Sequence, residues 1–281
     1  MREARARPLI TLTTDFGARD AYVGAMKGVM LDIEPRSQFV DITHVNPAQD
    51  VRHAAYVLWS ALPYFPERAV HLVVVDPGVG TARRAIASQT SWGRVVGPDN
   101  GVSSYVWAST SSHRTVALEN SRYHRREVSQ TFHGRDIFAP AAAHLAAGVD
   151  LADLGPEIDD PVRLPRPKLE LEPNGIQGKV LAVDHFGNAV TSIGRFTWSG
   201  KDLTLDAAFG DDARLTFRGG ASCVVAAGHV VGPVHPTYGR VSPGEKLALI
   251  GSTGMLEVAV NQGHAASVLG LAVGDPIELQ F

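Results

Sequence analysis

The residues most able to do chemistry in this chain stand just after runs that read as β-strands. Asp15 follows Leu9-Ile10-Thr11-Leu12, and Asp76 follows Val70 to Val75. Open α/β sheets bind ligands beyond the carboxyl ends of their strands, and a carboxylate there can accept hydrogen bonds from both vicinal hydroxyls of a ribose. A single aspartate at such a place serves equally well as a helix cap or turn residue, and Asp76-Pro77-Gly78 by itself reads as a turn. Arg83 and Arg84 read equally as surface charges and His133 as a structural histidine, so no one of these residues decides the matter.

Several familiar motifs are excluded. Thr14-Asp15-Phe16-Gly17 lacks the companion motifs of a protein kinase. The glycines of Asp76-Pro77-Gly78-Val79-Gly80-Thr81 are not followed by Gly-Lys-Ser/Thr and fit no dinucleotide fingerprint. There is no Gly-x-Ser-x-Gly elbow, and none of the eleven histidines falls in a His-Glu-x-x-His or clustered Cys/His pattern, so the histidines indicate no metal site without excluding one.

Around these residues, short β-rich runs alternate with segments of helical periodicity. Tyr22, Met26, Val29, Met30 and Ile33 share a helix face, Phe39 to Ile42 form a strand, and Val51, Ala54, Ala55, Leu58 and Trp59 mark a second helix. Val70 to Val75 is apolar enough for a central strand, with shorter strands near Ala85 to Ala87 and Arg94 to Val96. Asp136 to Ala147 reads as a helix stopped by Gly148. The expectation is an α/β domain over residues 1–155 with a central, mostly parallel sheet. Pro156, Pro161, Pro165, Pro167 and Pro173 mark an extended linker over 156–173. Beyond it, runs such as Lys179 to Val183, Leu247 to Ile250 and Ile277 to Leu279, divided by Gly, Pro, Asn and Asp, predict a smaller all-β barrel or sandwich over 174–281.

Composition narrows the partners. With 281 residues, 44% of them hydrophobic, the chain is long enough for two cores. A net charge of -3 gives no broad attraction for nucleic acid or anionic membranes, and the basic run Arg122 to Arg126 reads as a solvated face. No apolar run approaches the ~20 residues of a membrane span. The basic N-terminus meets no apolar signal region, and the single cysteine, Cys223, reads as a small buried hydrophobe, so the expected location is cytoplasmic.

Taken in order, the motifs are more specific than any of them alone. Thr14-Asp15-Phe16-Gly17, Val75-Asp76-Pro77-Gly78-Val79-Gly80-Thr81-Ala82-Arg83-Arg84, Gly97-Pro98-Asp99-Asn100-Gly101, Thr131-Phe132-His133-Gly134-Arg135-Asp136, Asp184-His185-Phe186-Gly187-Asn188 and the end segment Gly251 to Gly263 run through nearly the whole chain. In these blocks the chain resembles the S-adenosylmethionine fluorinase, chlorinase and hydroxide adenosyltransferase family. The resemblance implies attack of a small nucleophile at C5' of S-adenosylmethionine with loss of methionine. It implies a homotrimer whose sites lie between the N-terminal domain of one subunit and the C-terminal domain of the next, with S-adenosylmethionine as substrate and no separate cofactor.

Within that family the hydroxide-using branch matches best, its Asp, Arg and His falling on Asp76, Arg83 and His133. Halide-using members carry a tyrosine at the position of Asp76 and lack the histidine. A carboxylate there repels halide and accepts a hydrogen bond from water, so the expected reaction is hydrolysis to adenosine and methionine. Asp76 and His133 are expected to position and deprotonate the water, with either as the base, and Arg83 to orient Asp76. The carry-over puts Asp15 on the ribose, Asp20 and Asp184 near the methionine ammonium, and Asn188 near adenine or the methionine end. Phe132 and Tyr238 would flank adenine and ribose, Ser252 would meet the methionine carboxylate, and Glu257 with the backbone near Val260 would read the adenine edge. Where the fluorinating relatives have an arginine and a tryptophan, this chain has Thr253 and Val190. The competing readings are a halogenase and a non-catalytic adenosine or S-adenosylmethionine sensor; the sensor would need no Asp76, Arg83 and His133 together.

Overall fold

The structure, a computed structural model, describes residues 7–209 and 214–281. Its contacts divide the chain into two compact units, the first ending at Leu164 and the second beginning at Pro165.

The first unit is built on a six-stranded sheet in the order β2-β1-β3-β5-β4-β6. Its strands are β1 (Leu9–Thr14), β2 (Gln38–Thr43), β3 (Val70–Val74), β4 (Ala85–Thr90), β5 (Gly93–Pro98) and β6 (Arg114–Ala117). The pairings β1 with β2, β1 with β3 and β3 with β5 are parallel, whereas β4 runs antiparallel to both β5 and β6. Every residue of β3 is buried, the mark of a strand covered on both faces. The helices are α1 (Tyr22–Ile33), α2 (Val51–Ala61), α3 (Ser104–Ala108) and α4 (Ala139–Ala147). The alanines of α4 let it pack closely against α1, which buries Met26 and Met30. Asp50 caps α2 by accepting from the His53 N–H at 2.9 Å.

One expected helix begins differently. The α-helical register starts at Ala139, not Asp136, because Gly134–Phe138 winds as a π-helical turn ahead of it. The helix stops at Gly148, whose φ of 102° is left-handed.

The second unit is almost entirely β, with strands β7 (Leu169–Glu172), β8 (Gly175–Val183), β9 (Ala189–Gly194), β10 (Phe196–Ser199), β11 (Asp202–Asp206), β12 (Arg214–Arg218), β13 (Cys223–Ala226), β14 (His229–Gly232), β15 (Val234–His235), β16 (Lys246–Ile250), β17 (Met255–Val260) and β18 (Pro276–Gln280). A short helix, α5 (Ala265–Leu269), interrupts them. A nine-stranded sheet runs β14-β13-β18-β8-β9-β17-β16-β15 with β7 added on β8, and β10-β11-β12 form a separate small sheet. Its core gathers Ile176, Val180, Ile193, Leu256, Val258 and Ile277. Cys223 is partly exposed rather than buried, because β13 alternates and its inward residues are Val224 and Ala226.

The proline-rich stretch is tied at both ends. Ile158 and Val162 donate to Thr115 O and Asp99 Oδ1 within the first unit, and Leu169 to Glu172 pair with β8 within the second.

Candidate active site

Parallel pairing brings the first two acids side by side. Thr14 lies opposite Val74 in the β1–β3 register, so Asp15 and Asp76 leave the sheet at neighbouring carboxyl ends. The loop after β3 is braced by Asn100, whose Nδ2 donates to Val75 O at 2.9 Å. Asn46 braces the β1 end in the same way, through Thr14 O at 2.9 Å. Gly80 has φ +76°, and a Cβ there would run into the Gln130 carbonyl, so glycine lets this loop lie against the segment that leads to His133.

Three side chains meet here. Arg83 Nε donates to Asp76 Oδ1 at 2.9 Å and Oδ2 at 3.1 Å, and its Nη2 makes a further short bond to Oδ2. The same Nη2 lies 3.0 Å from His133 Nδ1. The side chains of Arg83 and Asp76 are only 10% and 5% exposed, and the guanidinium lies over the Phe138 ring, 5.0 Å from its centroid. Burial and the Arg83 charge depress the His133 proton affinity, against the opposing pull of Asp76 and Asp136, so its pKa falls below the usual histidine range. A guanidinium has no acceptor, hence Nδ1 of His133 accepts and the neutral ring carries its proton on Nε2. Arg84, next in sequence, turns elsewhere: it pairs with Asp99 and Asp160.

Asp15, partly buried, accepts from the Gln49 N–H at 2.8 Å, and Gln49 itself sits at φ 65°. Asp20 is exposed in the segment before α1. Phe132 packs edge-on against Tyr22 and Phe16, with centroids 5.2 and 6.0 Å away. Phe16 and Tyr22 are thus part of an aromatic wall that sequence alone shows only as motif and helix-face residues.

In the second unit, Asn188, Tyr238 and Val260 line one cavity of about 580 Å³. Phe186 lines it too and is 73% exposed; its place in the Asp184-to-Asn188 block is the only sequence signal for it. Asp184 accepts from Phe186 N, Asn188 N and Asn188 Nδ2 at 2.8–2.9 Å, so its carboxylate shapes that turn. Asn188 Nδ2 also donates to the Tyr238 hydroxyl at 3.3 Å. Tyr238 in turn hydrogen-bonds Glu257, which is buried; burial and the nearby Asp184 push the Glu257 carboxyl up to about 7. Glu257 packs against the backbone of Gly251, where any Cβ would meet its carboxyl oxygen. Ser252, in the turn between β16 and β17, is exposed. Among the described residues, no cluster of three or more His, Cys, Asp or Glu is arranged to hold a metal. No helix among them is long and apolar enough to cross a membrane.

Both units, the α/β one that holds the Asp76–Arg83–His133 cluster and the β one that holds the Asn188–Tyr238 cavity, match one family of known proteins. Residues 10–155 match the SAM hydroxide adenosyltransferase N-terminal domain and residues 178–278 match the C-terminal domain of the same family. The chain belongs to the SAM hydroxide adenosyltransferase family. It is 43% identical to the (R)-S-adenosyl-L-methionine hydrolase of Salinispora tropica over 97% of each chain. A fluorinase of Nocardia brasiliensis is more distant, 29% identical over 98% of this chain and 97% of its own. The crystal structure of a conserved protein from Thermotoga maritima superposes with a TM-score of 0.83 at 35% identity, covering 96% of this chain and 99% of that one.

Proposed function

We propose that this protein hydrolyses S-adenosyl-L-methionine to adenosine and L-methionine by attack of water at C5'. The observation that carries the reading is the buried Arg83 guanidinium that engages Asp76 and His133 together. An O–C5' bond forms as the C5'–S bond breaks, and its electron pair stays on sulfur as the thioether of methionine. The sulfonium is already a good leaving group, so no general acid is needed; the protein's task is to hold and deprotonate water. Asp76 takes that proton. Arg83 fixes the carboxylate in a charge-assisted fork but leaves it lone pairs for water, since two oxygens offer about four acceptor sites. His133, neutral and with Nδ1 occupied by Arg83, presents Nε2–H to orient the water oxygen. The reaction so written uses no cofactor.

Asp15 would hold the ribose hydroxyls, with Phe132, Phe16 and Tyr22 as an apolar wall. Asn188, Tyr238, Phe186 and the Val260 backbone would hold the adenine end. Glu257 offers a second contact to adenine, and Ser252, Asp20 and Asp184 fall to the methionine end. A homotrimer whose neighbouring subunits complete one another's sites belongs to this reading, as does a preference for the (R) sulfonium epimer, which the name of the Salinispora tropica relative carries. The halogenase reading is disfavoured by the Asp76 carboxylate, which would repel an anionic nucleophile.

Purified protein supplied with each epimer in oxygen-18 water, with and without chloride or fluoride, tests this. Adenosine labelled at O5' and formed regardless of halide supports hydrolysis. A halogenated nucleoside overturns the Asp76 argument, and saturable binding without methionine release identifies a sensor.

A further inference from the structure

The segment that carries His133 is pinned by a carboxylate that the proposed chemistry does not use. Asp136 is fully buried inside the π-helical turn that follows His133. Its Oδ1 accepts from Arg135 Nε at 2.7 Å and Arg125 Nη1 at 3.3 Å. Its Oδ2 accepts from Arg135 Nη2 at 2.8 Å and the Ser129 N–H at 2.9 Å. The Asp136 carbonyl also accepts from the Arg125 N–H at 2.9 Å. One residue therefore closes the chain from Arg125 to Asp136 on itself.

Burial opposes the charge of this carboxyl, but the Arg135 fork, the Ser129 N–H and Arg125 outweigh burial and hold it below the usual carboxylate range. A buried carboxylate carries a desolvation penalty that an apolar residue of similar size would avoid, so its use here is explained by what it orders rather than by packing. Two things are ordered. The Arg135 guanidinium, oriented by the fork, lies 5.0 Å above the Phe132 ring, which faces Tyr22 and Phe16. The Phe132 carbonyl accepts from the N–H groups of both Arg135 and Asp136, at 3.1 and 3.2 Å, bracketing the backbone of His133. A π-helical turn departs from the regular helix, and here the Asp136 bonds tie it to the chain that leads into it.

We propose that Asp136 is a positioning residue: its carboxylate clamps the 125–136 segment so that His133 stays within hydrogen-bond reach of Arg83 and Phe132 stays against Phe16 and Tyr22. The proposal rests on the reading above that His133 serves the site. The charged and titratable groups that act on His133 are Arg83, Asp76, Asp136 and His124. Removing the Asp136 charge withdraws one of the two that favour its protonated form.

The test compares wild type with Asp136→Asn by steady-state kinetics and by NMR titration of the His133 ring. The expected result is a kcat about tenfold lower with KM within about threefold, as for a misplaced group that acts in the transition state. The His133 ring resonances should also shift as the ring leaves Arg83, beyond the fall in midpoint that loss of the Asp136 charge alone gives. Unchanged kcat, or a reduced kcat with the His133 ring shifts of wild type, overturns the proposal. Absence of turnover in the wild type would instead defeat the functional reading, and the ring titration would still decide the clamp. If Asp136→Asn yields no folded protein, Arg135→Lys, which keeps the charge but loses the fork, takes its place: a lower kcat with the His133 midpoint moving to higher pH, as the ring leaves Arg83 while the Asp136 charge stays, supports the clamp, and no change in either overturns it.

Discussion

Arg83 Nη2 lies 3.0 Å from His133 Nδ1 while its Nε holds Asp76 at 2.9 Å, so a single guanidinium sets both the carboxylate orientation and the histidine tautomer. Arg84, its neighbour, serves a different purpose through Asp99 and Asp160.

Arg83→Gln should therefore lower kcat by about 100-fold, the scale of losing a preorganised charged donor. Arg84→Gln should change kcat by less than about fivefold, since its ion pairs lie outside the cluster. It should instead lower thermal stability, because Asp99, only 4% exposed, loses its cation. Steady-state rates and melting curves of the two variants make the comparison.

Asp76→Asn should lower kcat/KM by about 10²–10⁴, the range for loss of a general base. It should also remove the repulsion of halide. Chloride at constant ionic strength should inhibit the variant and leave the wild type unaffected; equal inhibition of both would remove the electrostatic argument.

Burial and Arg83 lower the His133 pKa, so the neutral form persists below the usual histidine midpoint. If the reaction needs neutral His133, the acid limb of kcat should lie below pH ~6.5, the ordinary histidine value. An acid limb above that value would contradict this protonation state.

His71 is fully buried, bonded to Thr11 Oγ1 and Trp92 O, and burial lowers its pKa to about 4. The unfolded chain takes up a proton near pH 6.5 that the folded one refuses, so stability present above that pH is lost as pH falls toward 4. The loss should reach on the order of 3 kcal/mol. Urea midpoints at pH 7 and 4.5 should differ more for wild type than for His71→Gln.

Glu257 has the opposite sign. Its folded pKa of about 7 lies above the ordinary 4.5, so stability falls as pH rises through that interval, by on the order of 1–3 kcal/mol. Glu257→Gln should flatten this dependence, measured by denaturation from pH 5 to 8.

Much of the first unit and most of the site residues were legible in the sequence. Apolar periodicity marked α1, α2 and the fully buried β3, because a helix face and a covered strand leave patterns that no tertiary contact has to supply. The ordered motifs carried the resemblance and with it Asp76, Arg83 and His133. The motif register points to Arg83 over Arg84, but the physical reason is tertiary: the two are chemically identical neighbours, and it is folding that brings Asp76 and His133 to one and Asp99 and Asp160 to the other. The tertiary structure alone set the His133 tautomer, the π-helical turn before α4 and the convergence of Phe186, Asn188, Tyr238 and Val260 on one cavity. Those features depend on hydrogen bonds and packing between residues far apart in the chain, and local spacing carries no record of them.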